Sequence, residues 1–95
     1  MPFEWDKNKN KINLEKHGIS FEEAHKVFSH DRLGWLDKRK DYSEQRLITI
    51  GSLGENAIVV VAYTIRNQNI RIISARIAKQ KERRLYHDYT KKKTK

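Results

Sequence analysis

Three arginines, Arg66, Arg71 and Arg76, are set into a stretch from Ala57 to Ile77 that otherwise carries no charge. A guanidinium stays protonated at any working pH, so none of the three can act as a base. What each offers is a planar fork of N–H donors matched to two oxygens of one phosphate. Arg76 is the first candidate, because it stands inside an apolar strand pattern just ahead of a basic helix. Period-two alternation puts Ser74 and Arg76 on one face with Ile70 and Ile72 and sends Arg71 to the other. On that reading Arg71 and Arg76 converge only if a bulge intervenes. Arg66 lies at a turn and Arg46 opens a neighbouring strand, so either could join Arg76 at a strand end.

These side chains need elements to position them. Ala57 to Ile65 is apolar, uncharged and rich in β-branched residues, the pattern of a strand covered on both faces. Arg66-Asn67-Gln68-Asn69 tolerates a turn, and Ile70 to Ile77 returns as a second strand. So short a connection permits an antiparallel hairpin and forbids a parallel crossover. Phe3-Glu4-Trp5 reads as a short edge strand. Asp6 caps a helix over Lys7 to His17, with Ile12 and Leu14 as sparse apolar anchors and Gly18 closing it in the left-handed conformation. Ser20-Phe21-Glu22-Glu23 is a capping box, opening a second helix whose Phe21, Ala24, Val27 and Phe28 face a core.

Leu33 to Leu36 and Arg46 to Ile50 are further strands, separated by the charged loop Asp37-Lys38-Arg39-Lys40-Asp41. Residues 51–56 form a flexible turn. With Leu33 and Leu36 as neighbours, Trp35 reads as core rather than as a stacking platform. A last helix starts near Ala78, with Ala78, Glu82, Leu85 and Tyr89 on one face and Lys79, Lys81, Arg83 and Arg84 filling much of the rest. Helices and strands come in runs, which predicts an α+β fold with an antiparallel sheet.

Ninety-five residues, 37% of them hydrophobic, make one domain, expected over residues 1–90, with a basic, disordered tail at 91–95. The chain has no cysteine, which excludes disulfides, thiolate zinc sites and cysteine nucleophiles. Its four histidines show no metal-ligand spacing, so neither a metal nor a cofactor is expected. No apolar run reaches the length of a membrane span and the N-terminus carries no signal-peptide pattern; a soluble cytoplasmic protein with no membrane partner is expected. The net charge of +9 is unevenly placed. Residues 1–65 hold ten basic and ten acidic residues, whereas residues 66–95 hold eleven basic residues against Glu82 and Asp88. Such a basic third predicts a polyanionic partner.

Three blocks, taken together, resemble the BrnT family of ribonuclease toxins from bacterial type II toxin–antitoxin systems. The first is Phe3-Glu4-Trp5-Asp6 with Lys9, Asn13, Lys16-His17-Gly18 and Ser20-Phe21-Glu22-Glu23-Ala24. The second is Glu44 and Arg46 ahead of Ile48-Thr49-Ile50-Gly51. The third is Val59-Val60-Val61 and Tyr63-Thr64, then Ile70-Arg71-Ile72-Ile73-Ser74-Ala75-Arg76, then Ala78, Glu82-Arg83-Arg84 and Tyr86. Lys7 departs from the proline the family often carries there, which touches helix initiation only. The resemblance implies a RelE-like fold, with two N-terminal helices packed on a twisted antiparallel sheet and a C-terminal helix. It also implies metal-independent endoribonuclease activity that arrests translation. A cognate BrnA-like antitoxin with a ribbon-helix-helix part would neutralise the chain and carry the complex to operator DNA.

Metal-free RNA cleavage needs a base for the 2′-hydroxyl proton, cations for the developing phosphorane and an acid for the departing 5′-oxygen. Arg76 takes the second role, helped by Arg46 and Arg66. An imidazole titrates near neutrality, so His17 is a candidate acid or base; it reads equally well as a C-terminal helix residue interacting with the dipole. Glu44 is either a general base or an ion-pair partner that positions an arginine. Arg71, Lys79, Arg83 and Tyr86 are expected to contact RNA, although Tyr86 could equally pack beside Leu85. The competing reading is a non-catalytic basic module that binds RNA or an acidic protein.

Overall fold

The computed structural model describes residues 2–54 and 57–93 and runs β1 (Phe3–Glu4), α1 (Lys7–His17), α2 (Phe21–Ala24, continued by a 3-10 turn over His25–Ser29), β2 (Arg32–Leu36), β3 (Leu47–Ser52), β4 (Ile58–Arg66), β5 (Asn69–Ile77) and α3 (Gln80–Lys93). The strands form one sheet in the order β1-β5-β4-β3-β2. β4 and β5 are the expected antiparallel hairpin. Their two-residue turn has Asn67 at φ 52° and Gln68 at φ 69°, and two left-handed residues in succession match the twist of the strands. β4 is buried from Ile58 through Thr64, so it is covered on both faces as its composition predicts.

The sheet is mixed rather than wholly antiparallel. β1 lies parallel to β5, pairing Phe3 with Ile70 and Glu4 with Arg71. The intervening chain, with both N-terminal helices and three strands, is long enough to make the crossover that a parallel pair requires.

α1 is capped as its sequence predicts. Asp6 Oδ1 accepts from the N–H groups of Asn8 and Lys9 at 2.8 and 3.0 Å, and Gly18 at φ 73° donates its N–H to the Leu14 carbonyl. Its expected anchors do not anchor it: Ile12 and Leu14 are 59% and 48% exposed, and Asn13 is the buried residue. The helix lies along the free edge of β5, where backbone groups ask for hydrogen bonds rather than apolar contact. Asn10 ties α1 to α2, its Oδ1 accepting from the Phe21 N–H and its Nδ2 donating to Glu22 Oε1, each at 2.8 Å.

In α2 the Ser20 hydroxyl accepts from the Glu23 N–H at 3.1 Å, but Glu23 pairs forward with Lys26 Nζ at 2.9 Å instead of reaching back. Phe21, Ala24 and Val27 pack with Ile19 on one face of the sheet, against Val59, Val61, Tyr63, Ile70, Ile72 and Ala75. Burying a side chain such as Phe21 completely contributes about 2–3 kcal/mol. Gly51 is required there, since a Cβ would stand 2.9 Å from Val27 Cβ.

α3 covers part of the opposite face. Ala78 and Tyr86 pack on Ile48, Ile50, Ile58, Val60 and Ala62. The helix begins at Gln80 rather than near Ala78, because the Ala78 N–H is still bonded to the Ile58 carbonyl at 2.9 Å. Its buried anchor is accordingly Tyr86, whereas Leu85 is exposed. Three residues assigned from sequence to a disordered tail, Lys91 to Lys93, are helical; Thr94 and Lys95 lie outside the described residues, as do Glu55 and Asn56 of the 51–56 turn. Among the described residues no helix is long and apolar enough to cross a membrane.

Candidate active site

A break in register aims the arginines. Ala62 pairs with Ser74 but Tyr63 pairs with Ile72, so Ile73 is an extra residue in β5. A bulge of one residue reverses the parity of all that follows. Ile70 and Ile72 therefore face the α2 side, while Ser74 and Arg76 fall on the α3 side, the side that Arg71 also faces. The expected split, with Arg71 opposite Arg76 and Ser74 beside Ile70, is thus corrected. The two arginines share a face yet occupy different ends of it. Arg71 is held by Glu4 Oε2 at 2.7 Å, and Arg76 is held by Glu82.

Two rows of side chains cross the sheet on this face. One is Leu33, Ile50, Val60 and Arg76; the next is Trp35, Ile48, Ala62 and Ser74. Tyr86 of α3 joins one apolar cluster with Ile50 and Val60 of the first row and Ile48 and Ala62 of the second. The second floors a cavity of about 360 Å³ walled by Asp37, Lys38, Arg39, Arg76 and Glu82.

Each wall is built around an arginine–carboxylate fork. Arg76 NH1 and NH2 donate to Glu82 Oε1 and Oε2, each at 2.8 Å, and Glu82 Oε1 also accepts from the Lys79 N–H at 2.8 Å. The guanidinium brings the Glu82 carboxyl down to about 2, and Glu82 in turn raises Arg76 above its ordinary value while the neighbouring Arg39 charge opposes that rise. On the other wall the Asp37 carboxylate is 1% exposed. It accepts from Arg39 Nε and NH2 at 2.8 Å each, from the Arg39 N–H at 3.2 Å and from the Tyr42 hydroxyl at 3.0 Å. Those donors, Arg39 foremost, hold the Asp37 carboxyl well below the usual carboxylate range. Neither carboxylate is a base near neutral pH. The cavity therefore presents Lys38 and two carboxylate-paired arginines beside a largely apolar floor.

Arg46 and Arg66 do not join Arg76. Arg66 ends β4 six residues beyond Val60, the partner of Arg76, or roughly 20 Å along the strand. It is paired with Glu44 at 2.6 Å, so Glu44 has the ion-pair geometry. Arg46 lies with its guanidinium 4.0 Å over the Tyr42 ring, and its buried Nε has no hydrogen-bond partner among the described residues. His17 lines a groove with Lys9, Lys16 and Ser74, which meets the Arg76 cavity at Ser74. Lys79 is exposed at the start of α3 and Arg83 is half-buried. Tyr86 is buried and donates its hydroxyl to the Asp31 carbonyl at 3.2 Å, which anchors α3 rather than opening the ring to a base. Asp37, Lys38 and Arg39 line the cavity although their loop reads from sequence as a solvated charge run; the one signal it carries is an acid two residues before an arginine. Among the described residues no group of three or more His, Asp or Glu side chains is arranged to hold a metal ion.

A mixed five-stranded sheet with helices on both faces and, on one of them, a cavity walled by two arginine–carboxylate pairs defines a small α+β protein. Residues 5–82 match the family described as "Ribonuclease toxin, BrnT, of type II toxin-antitoxin system". The chain belongs to that BrnT family, as the three sequence blocks indicated. The 1.1 Å crystal structure of the Brucella abortus ribonuclease toxin BrnT has a similar fold, with a TM-score of 0.63 and 26% identity over 84% of this chain and 99% of that one. Among curated proteins no significant match is found.

Proposed function

We propose that this chain is a metal-independent endoribonuclease in which Arg76 holds the scissile phosphate. The observation that carries the reading is the Arg76 guanidinium lining a cavity with Arg39 and Lys38, held in place by the Glu82 fork on the same wall. Three of its N–H groups serve Glu82 and the Ile77 carbonyl, and the rest of the fork is uncommitted among the described residues. In this mechanism the 2′-oxygen attacks the adjacent phosphorus, the 5′-oxygen leaves, and Arg76 with Arg39 and Lys38 stabilises the charge that builds on the phosphorane. Because both wall carboxylates are committed to arginines, His17, whose groove meets the cavity at Ser74, is the proposed proton-transfer group. Cleavage of RNA would halt translation. A BrnA-like antitoxin covering the cationic face would neutralise the toxin and carry the complex to operator DNA.

The test is incubation of end-labelled RNA with purified protein in excess EDTA, beside Arg76→Ala and Arg76→Lys. New RNA ends from wild type, and loss of at least 100-fold in the folded Arg76→Ala protein, are expected. Full activity in folded Arg76→Ala removes the assignment, and unchanged cleavage by His17→Gln returns His17 to its place at the helix end. RNA left intact but shifted in mobility by the wild type would identify a non-catalytic binding module instead.

A further inference from the structure

We infer that Trp35 is the stacking platform of a nucleobase subsite, which makes single-stranded RNA the substrate that the Arg76 cavity accepts. This inference rests on the ribonuclease reading and specifies its substrate.

Trp35 is 44% exposed, although its flanking residues are apolar and it belongs to a strand of the main sheet. Trp35 stands outside the apolar cluster that Tyr86 of α3 joins. Leu33, two residues earlier on the same face, packs against that cluster, whereas Trp35, at the outer end of its row on the edge strand β2, is left half-exposed. A large ring left in this way at the rim of a cavity is not doing the work of a core residue. Ala62, level with it in the sheet, has a side chain too small to fill the row, and Ile48 between them completes an apolar floor.

The geometry fits a nucleotide. Trp35 and Ser74 stand three strand spacings apart, roughly 14 Å, and Arg76 follows two residues beyond Ser74, roughly 7 Å along β5. A flat apolar ring stacked on the indole would sit over the small exposed parts of Ile48 and Ala62, with the anionic group attached to it directed at Arg76 on one wall and Arg39 and Lys38 on the other. Charge complementarity selects the occupant: a π-face joined to a phosphate matches an indole beside cations, whereas an aliphatic side chain leaves the cations unmatched. Bases within a duplex are stacked and paired and cannot present a face to Trp35.

The experiment is fluorescence anisotropy with a labelled 2′-O-methyl RNA oligomer, which binds but lacks the attacking hydroxyl. Wild type, Trp35→Ala and Trp35→Phe are compared, together with an abasic oligomer and a duplex. Trp35→Ala is expected to weaken binding of the single strand by about 5- to 100-fold while Trp35→Phe retains most of it. The abasic oligomer should bind wild type and Trp35→Ala equally, and the duplex should bind wild type less tightly than the single strand. Equal affinity of wild type and Trp35→Ala for the single strand overturns the subsite and frees that surface for a protein partner. Equal affinity of wild type for duplex and single strand also overturns it. The two readings fail separately. Wild type that binds through Trp35 but makes no new ends in natural RNA refutes the nuclease and leaves the subsite standing, while cleavage that is indifferent to Trp35→Ala does the reverse.

Discussion

The Asn13 carboxamide is bonded to both backbone groups of Ala75: Nδ2 donates to the carbonyl at 2.9 Å and Oδ1 accepts from the N–H at 3.1 Å. A third bond, from Nδ2 to the Ile19 carbonyl at 2.9 Å, satisfies the rest of the amide. Asn13 thus substitutes for a neighbouring strand at the free edge of β5, one residue from both Ser74 and Arg76. Asn13→Ala leaves two buried backbone groups of Ala75 without partners, and a loss of about 2–4 kcal/mol is expected. Urea denaturation of the two proteins measures it, and a midpoint unchanged from wild type would show that α1 is held by other contacts.

The Arg76–Glu82 fork makes stability depend on acid. The folded protein brings Glu82 from an ordinary 4.5 to about 2, so its contribution is fully present above pH 4.5 and is lost as pH falls toward 2. Glu82→Gln should therefore be less stable than wild type by about 1–2 kcal/mol at pH 7, and the gap should close on acidification through that window. Denaturation curves at pH 7, 4 and 2 read the difference directly.

Asp37 organises the loop that carries Lys38 and Arg39. Besides the four bonds to its carboxylate, its N–H donates to the Arg46 carbonyl at 2.8 Å, tying the two ends of the 37–46 segment. Asp37→Ala should loosen that segment while sparing the sheet. Limited trypsin digestion is expected to cut after Lys38, Arg39 or Lys40 several-fold faster than in wild type; an unaltered digestion rate would mean that the loop is ordered without the carboxylate.

Gln68 occupies a left-handed position without the tolerance of glycine or asparagine. Gln68→Gly, which makes the turn Asn-Gly, should raise stability by about 0.5–1 kcal/mol and leave RNA cleavage unaltered. Thermal denaturation tests this, and a lowered midpoint would show that the turn is not under strain.

Much of this architecture is legible residue by residue. Asp6, Gly18 and Ser20 sit at helix ends because their side chains or conformations satisfy backbone groups a few positions away. The β4–β5 hairpin follows from two apolar runs around a short polar turn. Arg76 stands out because a charge in an apolar strand needs a reason. These are local relationships, and local chemistry is what a sequence displays. The face that Arg71 and Arg76 share was not legible, because the extra residue at Ile73 exists only in the pairing of β5 with β4. Nor was the burial of Asn13 in preference to Ile12 and Leu14, since the hydrogen bonds that α1 must supply belong to a strand 62 residues away.

By itself, then, the sequence determined the elements, their caps, the basic last third and the family, all of which depend on residue type and short spacing. Only the tertiary structure decided that Arg39 opposes Arg76 across a cavity, that Arg46 and Arg66 lie elsewhere, and that Trp35 is left open to solvent. Those outcomes depend on register, on the bulge and on which residues of the sheet face pack with α3. Each is a relation between distant segments, for which no single segment carries the instruction.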